Sequence, residues 1–360
     1  MKHLALTATA IALTTTSAFA GAIDRSGQFL SPLFQDGGET GQYVEFSFGQ
    51  VDPSAGTSAL AGDPLQSFSS VGLAYKTEFN DRLSFALILD EPFGADILIP
   101  IPGLPVPFDG IADISSTSVA GIGRYKFTDN WSVHGGLRLQ KIGGRVQTVV
   151  GGTTPANLNL SSDFTPGLIA GVAYERPDIA LRVALTYNSE IDNDLEGTEA
   201  AGLGALSGAP GSPVATTVTT PESINLEFQS GIAADTLVFG SIRHVFWDGV
   251  SLTTGVGEYV SFNEDTTTYR IGVGRRFNEN WSGAVTLTHE RGDGLTTTLL
   301  SPTDGITAIG LGATYTDDTG VQVTGGVTYG SLQDTTFVGN GAEFNDNEVF
   351  GVGLRVGFNF

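Results

Sequence analysis

Ser132 and His134 stand two residues apart in a segment, 131–140, that alternates apolar and polar residues. In a strand that spacing puts both side chains on one face. A serine beside an imidazole is the start of a nucleophile–base pair. Such a pair also needs a group that orients the imidazole and donors for an oxyanion. Neither is marked in the chain, so no catalytic residue is assigned and the protein reads as a non-enzyme. His134, His244 and His289 fall on separate segments without metal-ligand spacing, and there is no cysteine, so neither metal nor cofactor is implied. The 49 glycines form no phosphate loop; they sit inside strand-like stretches.

The second group of chemically capable residues is ionic. Lys76, Arg124, Lys126, Arg138, Arg182, Arg270, Arg276 and Arg355 fall on the polar side of alternating segments, with Arg243 close to that pattern, and so do Glu45, Glu175, Glu227 and Glu290. They can knit an interior by ion pairs. Alternatively one or two guanidinium groups, with Arg138, Arg182 and Arg243 as candidates, can hold an anionic headgroup by paired hydrogen bonds.

The third group is apolar. Residues 91–113 read EPFGADILIPIPGLPVPFDGIAD, with Phe93, Ile97, Leu98, Ile99 and Phe108 prominent. Five prolines argue against a regular strand here. In an outer loop these side chains would be exposed and could receive greasy molecules; alternatively the loop folds inward or packs on neighbouring loops.

Positioning these residues falls to strands of period two. The last stretch shows it best: Phe350, Val352, Leu354, Val356, Phe358 and Phe360 alternate with Gly351, Gly353, Arg355, Gly357 and Asn359. Fourteen such segments run from Gln42 to Phe360. Short connections such as 80–81, 128–130 and 278–280 alternate with long ones such as 91–113, 143–161 and 189–221. That sorting predicts an all-β fold, a 14-stranded antiparallel transmembrane barrel of the outer membrane with both termini at the short-turn end. Aromatics flank the short turns (Tyr125, Phe127, Trp131; Phe277, Trp281), as expected at a membrane–water boundary, and Trp247 is assigned to the opposite girdle.

Residues 1–20 carry Lys2, an apolar stretch and Ala18-Phe19-Ala20, a secretory signal. Residues 21–41 have no period and read as a short luminal plug or a tail outside the barrel; residues 42–360 form the barrel. A net charge of −22 excludes nucleic acid as a partner. The acidic connections serve solubility, or hold divalent cations that bridge lipopolysaccharide.

Several stretches together resemble the FadL/TodX family of outer-membrane transporters for long-chain fatty acids and other hydrophobic compounds. They are 24–28 (DRSGQ), 90–96 (DEPFGAD), 171–175 (GVAYE) with 180–183 (ALRV), and 220–233 (TPESINLEFQSGIA) continuing to Arg243 and Trp247. The resemblance implies an N-terminal hatch inside the barrel, capture of apolar substrate at outer loops, and lateral release at a kinked third strand. In this chain that strand ends at Asp90 and Pro92, which are assigned to the opening. Two departures stand out: the hatch region is short, and the family's Asn-Pro-Ala motif is absent. The expected function is passive uptake of a hydrophobic compound, a long-chain fatty acid first. A diffusion porin for small polar solutes is the alternative and an outer-membrane lipase is third. The terminal Phe360 resembles the signal read by the outer-membrane assembly machinery.

Overall fold

The computed structural model describes residues 23–57, 63–101, 103–296, 300–338 and 341–360. The signal segment, the first two residues of 21–41, and Pro102 lie outside the described residues.

Fourteen strands form the wall: β1 Gln42–Thr57, β2 Phe68–Asn80, β3 Leu83–Asp90, β4 Asp109–Lys126, β5 Trp131–Val150, β6 Thr165–Arg176, β7 Leu181–Asn188, β8 Ser223–Ala233, β9 Thr236–Val245, β10 Thr266–Arg276, β11 Trp281–Glu290, β12 Asp304–Thr316, β13 Gln322–Gln333 and β14 Glu343–Asn359. Each pairs antiparallel with the next. The circle closes where β14 meets β1, from Tyr43 opposite Asn359 to Thr57 opposite Phe344. The strands match the fourteen expected from periodicity, in order.

Alternation decides which face is which. Phe46, Leu73, Leu137, Leu168, Ile271, Leu311, Tyr329 and Leu354 are exposed on the outside, whereas Tyr43, Lys76, Arg124, Arg138, Asn225 and Thr324 are buried inside. An apolar surface running round the whole molecule is stable only against lipid, so the barrel spans a membrane. Among the described residues no helix is long and apolar enough to cross one. At the short-turn end Trp131 packs on Tyr174 and Trp281 on Tyr315, with ring centroids 4.9 and 5.2 Å apart. Arg276 lies at this rim, exposed and paired with Asp235, instead of pointing into the lumen.

At the other end the chain does not dissolve into loops. β4 and β5 run on beyond the wall: β4 pairs with a strand Gly94–Pro100 and β5 with Thr154–Ser162, and the ladder continues from there through Ile191–Ala201 to Ser212–Thr220 in a curved extension. The expectation that prolines prevent a strand in 91–113 is therefore corrected: Pro92 precedes the strand over 94–100, Pro100 ends it, and Pro105 and Pro107 lie in the turn beyond. The prolines bound the strand without interrupting its ladder.

Residues 23–41 lie against the inner face. Leu30 and Leu33 pack on Ala74, Ala86, Ile88, Ala120 and Ile122, a patch where β2, β3 and β4 present small or aliphatic residues inward. Gly37–Gly41 then brings the chain to β1, and Thr40 donates from both N (2.6 Å) and Oγ1 (2.8 Å) to the carbonyl of Phe360.

A candidate apolar cavity at the outer mouth

Five strands build the cavity walls. Ala112 and Ile114 come from β4, Ile142 and Val146 from β5, Leu158 and Leu160 from 154–162, and Leu195 and Val218 from the strands beyond. All are on the concave side of the curved extension because alternation continues there without slipping register. The roof is a hairpin, Ser251–Thr253 with Glu258–Ser261, contributing Val250, Leu252, Val260 and Phe262. Trp247 closes one side, edge-on to Phe93 (5.6 Å) and tilted against Phe262 (4.9 Å). Ile23, the first described residue, also lines the space.

The cavity is partly open, its volume is about 100 Å³, and among the described residues no ionisable side chain lines it. Its polar members, Thr219, Thr220 and Ser251, are peripheral to this chemistry. Thr219 donates to Asp192 (2.6 Å), and Thr220 accepts from Gln140 (2.9 Å). An apolar lining of this kind favours apolar guests; an engineered apolar cavity of about 150 Å³ takes up benzene.

The residues expected to form the site separate into three places. Phe93 and Ile97 belong to the core around the cavity. Phe93, Ile97 and Ile99 are 2%, 8% and 1% exposed, so the picture of an exposed receptor patch is corrected; Leu98 alone of that run faces outward. Phe108 packs in a separate cluster at the tip with Ala200 and Ala205. Trp247, expected in the outer girdle, is fully buried. Alternation at the blurred end of β9 does not say which way it turns, and the cavity is its reason for being apolar.

The arginines lie deeper. Arg243 holds Asp24 with two hydrogen bonds (2.7 and 3.1 Å) and also reaches Ser223 (3.0 Å) and Asn225 (3.1 Å). Arg182 and Arg124 sit over the ring of Phe34, 4.8 and 4.6 Å from its centroid. Arg138 is buried, its Nε has no hydrogen-bond partner, and the charges acting on it are Asp90, Arg243 and Asp24. Ser132 and His134 do not meet: Ser132 Oγ accepts from Arg124 (3.0 Å) and His134 Nε2 pairs with Thr186 (2.9 Å).

Beside Asp90 and Pro92 the β2–β3 ladder is interrupted. The β2–β3 ladder stops at Leu73 opposite Leu89, although β2 continues to Phe68 along β1. Residues 92–94 turn inward to the N-terminal segment. Arg25 and Ser26 donate to the Pro92 carbonyl (2.7 and 3.2 Å), and Gly94 donates to Ile23 (2.9 Å). Ser26 Oγ reaches Asp90 (2.8 Å). Arg25 pairs with Asp96, and its guanidinium lies so near Gly94 that a Cβ there would fall 2.5 Å from it. Pairing across the wall resumes at Gln66 with Asp96 (2.9 Å).

Sequence reasoning missed Leu158, Leu195 and Val218 because 143–161 and 189–221 read as loops. The signal for Leu158 and Val218 was present as alternation in ANLNLS and VATTVTT, and that for Leu195 in IDNDLEG.

Compared with solved structures, the fold resembles that of a Pseudomonas aeruginosa FadL homologue (TM-score 0.73, 14% identity, covering 92% of this chain and 94% of that one). It resembles the Pseudomonas putida toluene transporter TodX (0.68, 12%, 96% of each) and the Ralstonia pickettii toluene transporter TbuX (0.66, 11%, 96% and 97%). No family model and no curated protein matches the chain by sequence. At these identities the likeness establishes the fold: that of FadL/TodX-type channels.

Proposed function

We propose that this chain is a passive outer-membrane channel that takes up hydrophobic compounds from outside the cell. The observation that carries the reading is the apolar cavity at the outer mouth, lined by no charge among the described residues and bounded below by Ile23 of the N-terminal segment. A diffusion porin has no use for such a pocket, whereas burial of apolar area there stabilises a bound hydrocarbon by about 25 cal/mol per Å². Residues 21–41, once the signal segment 1–20 is removed, serve as the plug of the barrel 42–360. Captured cargo passes from the cavity past Phe93 to the interrupted ladder near Asp90 and Pro92, and leaves sideways into the bilayer. Proximity supports this path: Ala95 and Ile23 line the cavity, and Gly94 and Ile23 are hydrogen bonded beside the break.

Cargo size and charge argue for a compact neutral molecule first, in keeping with the toluene named for TodX and TbuX. A long-chain fatty acid is the second reading, and Arg138 favours it, as a buried guanidinium with an unsatisfied Nε that a carboxylate could reach. Cells making the Arg138→Met variant separate the two. Toluene uptake persisting while oleate uptake fails assigns the headgroup to Arg138; persistence of both removes Arg138 from headgroup binding, and no oleate uptake by the unaltered chain removes the fatty-acid reading. Ala112→Leu, which fills the cavity, is expected to abolish toluene uptake, and normal uptake would remove the cavity from the pathway. The acidic outer connections and Phe360 are assigned to lipopolysaccharide-bound cations and to the assembly machinery.

A further inference from the structure

The roof of the cavity is held differently from its walls. The walls are continuous with the barrel ladder, but the hairpin 251–261 forms a separate two-stranded sheet. Its stem is local: Gly249 donates to Phe262 (3.0 Å), Phe262 to Val250 (2.9 Å) and Val250 to Trp247 (3.0 Å). Its tip lies on Val150, and only glycine fits there: Gly257 has φ +143°, and a Cβ would fall 2.5 Å from Val150 Cγ1.

One carboxylate ties this hairpin down. Glu199, on the strand 191–201, accepts from the Tyr259 hydroxyl (2.8 Å) and from the Thr254 hydroxyl with the same Oε1. A further bond runs from Thr216 Oγ1 to the Thr253 carbonyl (2.7 Å). Tyr259 is 4% exposed and belongs to the apolar core of the cavity. Burial, then the hydrogen bond to Glu199 and its charge, raise the phenol above its ordinary value, so it remains a donor. The underside of the same hairpin carries Leu252 and Val260 into the cavity. Its height above Leu158 and Leu195 fixes how large a guest fits.

We propose that Glu199 is a positioning residue that seats the roof through Tyr259 and Thr254 and so sets the upper size of molecule the cavity admits. This rests on the cavity being the cargo site. Replacing the carboxylate by a methyl group removes both bonds and leaves the buried Tyr259 hydroxyl unpaired, which frees the hairpin to lift. A larger guest gains from that, while a single ring gains little.

The test is uptake of radiolabelled toluene and phenanthrene by cells making the full chain, with barrel folding checked by the heat-dependent gel mobility of the protein. Glu199→Ala is expected to raise the phenanthrene-to-toluene uptake ratio about tenfold, the change that loss of two modest hydrogen bonds allows. Tyr259→Phe should raise it less. Glu199→Gln keeps an acceptor oxygen and should leave the ratio unchanged. An unchanged ratio in folded Glu199→Ala, including an equal fall for both compounds, overturns the proposal. Should that variant not fold, Tyr259→Phe decides by the same ratio. Ala112→Leu serves as the separate control. If it blocks toluene while the ratio stays fixed in the roof variants, the cavity stands and the role of Glu199 falls. If it blocks nothing, both fall.

Discussion

Asp24 and Arg25 are adjacent in the chain and tied to different parts of the wall, Asp24 to Arg243 on β9 and Arg25 to Asp96 on the strand 94–100 that pairs with β4. The Asp24–Arg243 pair is buried at both ends. Its strength as evidence lies in what happens when half is removed. Breaking a buried pair typically costs about 3–5 kcal/mol, because one charge is left uncompensated, while removing both charges costs far less. Arg243→Met should therefore unseat residues 23–36, read as loss of amide exchange protection at Leu30 and Leu33. Asp24→Leu combined with Arg243→Met should restore most of that protection. A second residue-scale prediction concerns pH. In the short turn 317–321, hydrogen bonds from the Thr319 hydroxyl first and the Val321 amide next hold the Asp317 carboxyl below its ordinary value. Its folded pKa is depressed, so its contribution is present above the unfolded pKa and lost as pH falls through the folded one. Amide resonances of Thr319 and Val321 should shift below pH 4 (about the ordinary carboxylate value) in the native chain and stay put in Asp317→Ala. Arg243 was legible in the sequence as a luminal cation, but its partner was not: 219 residues separate it from Asp24, and no local pattern encodes such a contact.

The strand over 94–100 shows what a local rule misses. Prolines at its ends look like breakers in the sequence, yet each sits where no ladder donor is required. The partner, β4, supplies the register from Gly94 opposite Ser115 to Pro100 opposite Asp109. Wall strands were readable because lipid on one side and a packed lumen on the other enforce strict alternation. The outer strands pack against one another above the membrane, where apolar residues also point inward but loops of similar composition are common. This placement changes what serine substitutions would do. Ile97→Ser and Ile99→Ser remove buried side chains and should each cost about 2–5 kcal/mol, visible as a lower melting temperature of the outer extension. Leu98→Ser, on the exposed side, should leave stability and toluene uptake alike. Equal loss from all three would restore the exposed-patch picture that the burial of Ile97 and Ile99 replaces.

For the whole molecule, the plug role proposed for the N-terminal segment predicts a pore that is shut to ions. Purified protein in a planar bilayer should show little steady conductance, and deletion of residues 23–36 should raise it sharply. A large steady current from the intact chain would favour the porin alternative. The number of wall strands, their order and the sorting of long and short connections were legible in the sequence, since each follows from period two and turn composition. The contents of the barrel were not, because they depend on which distant strands face each other across it. One consequence follows from the seam. The wall is completed only when the last strand meets the first, with Tyr43 opposite Asn359 and Phe360 clasped by Thr40. These partners are more than 300 residues apart, the most costly loop to close in the chain, so the seam is expected to form last. If the seam closes last, the N-terminal segment, which leads directly into β1, is expected to take its place against β2, β3 and β4 before the wall is complete, and a seam mutant that slows closure should leave that placement intact.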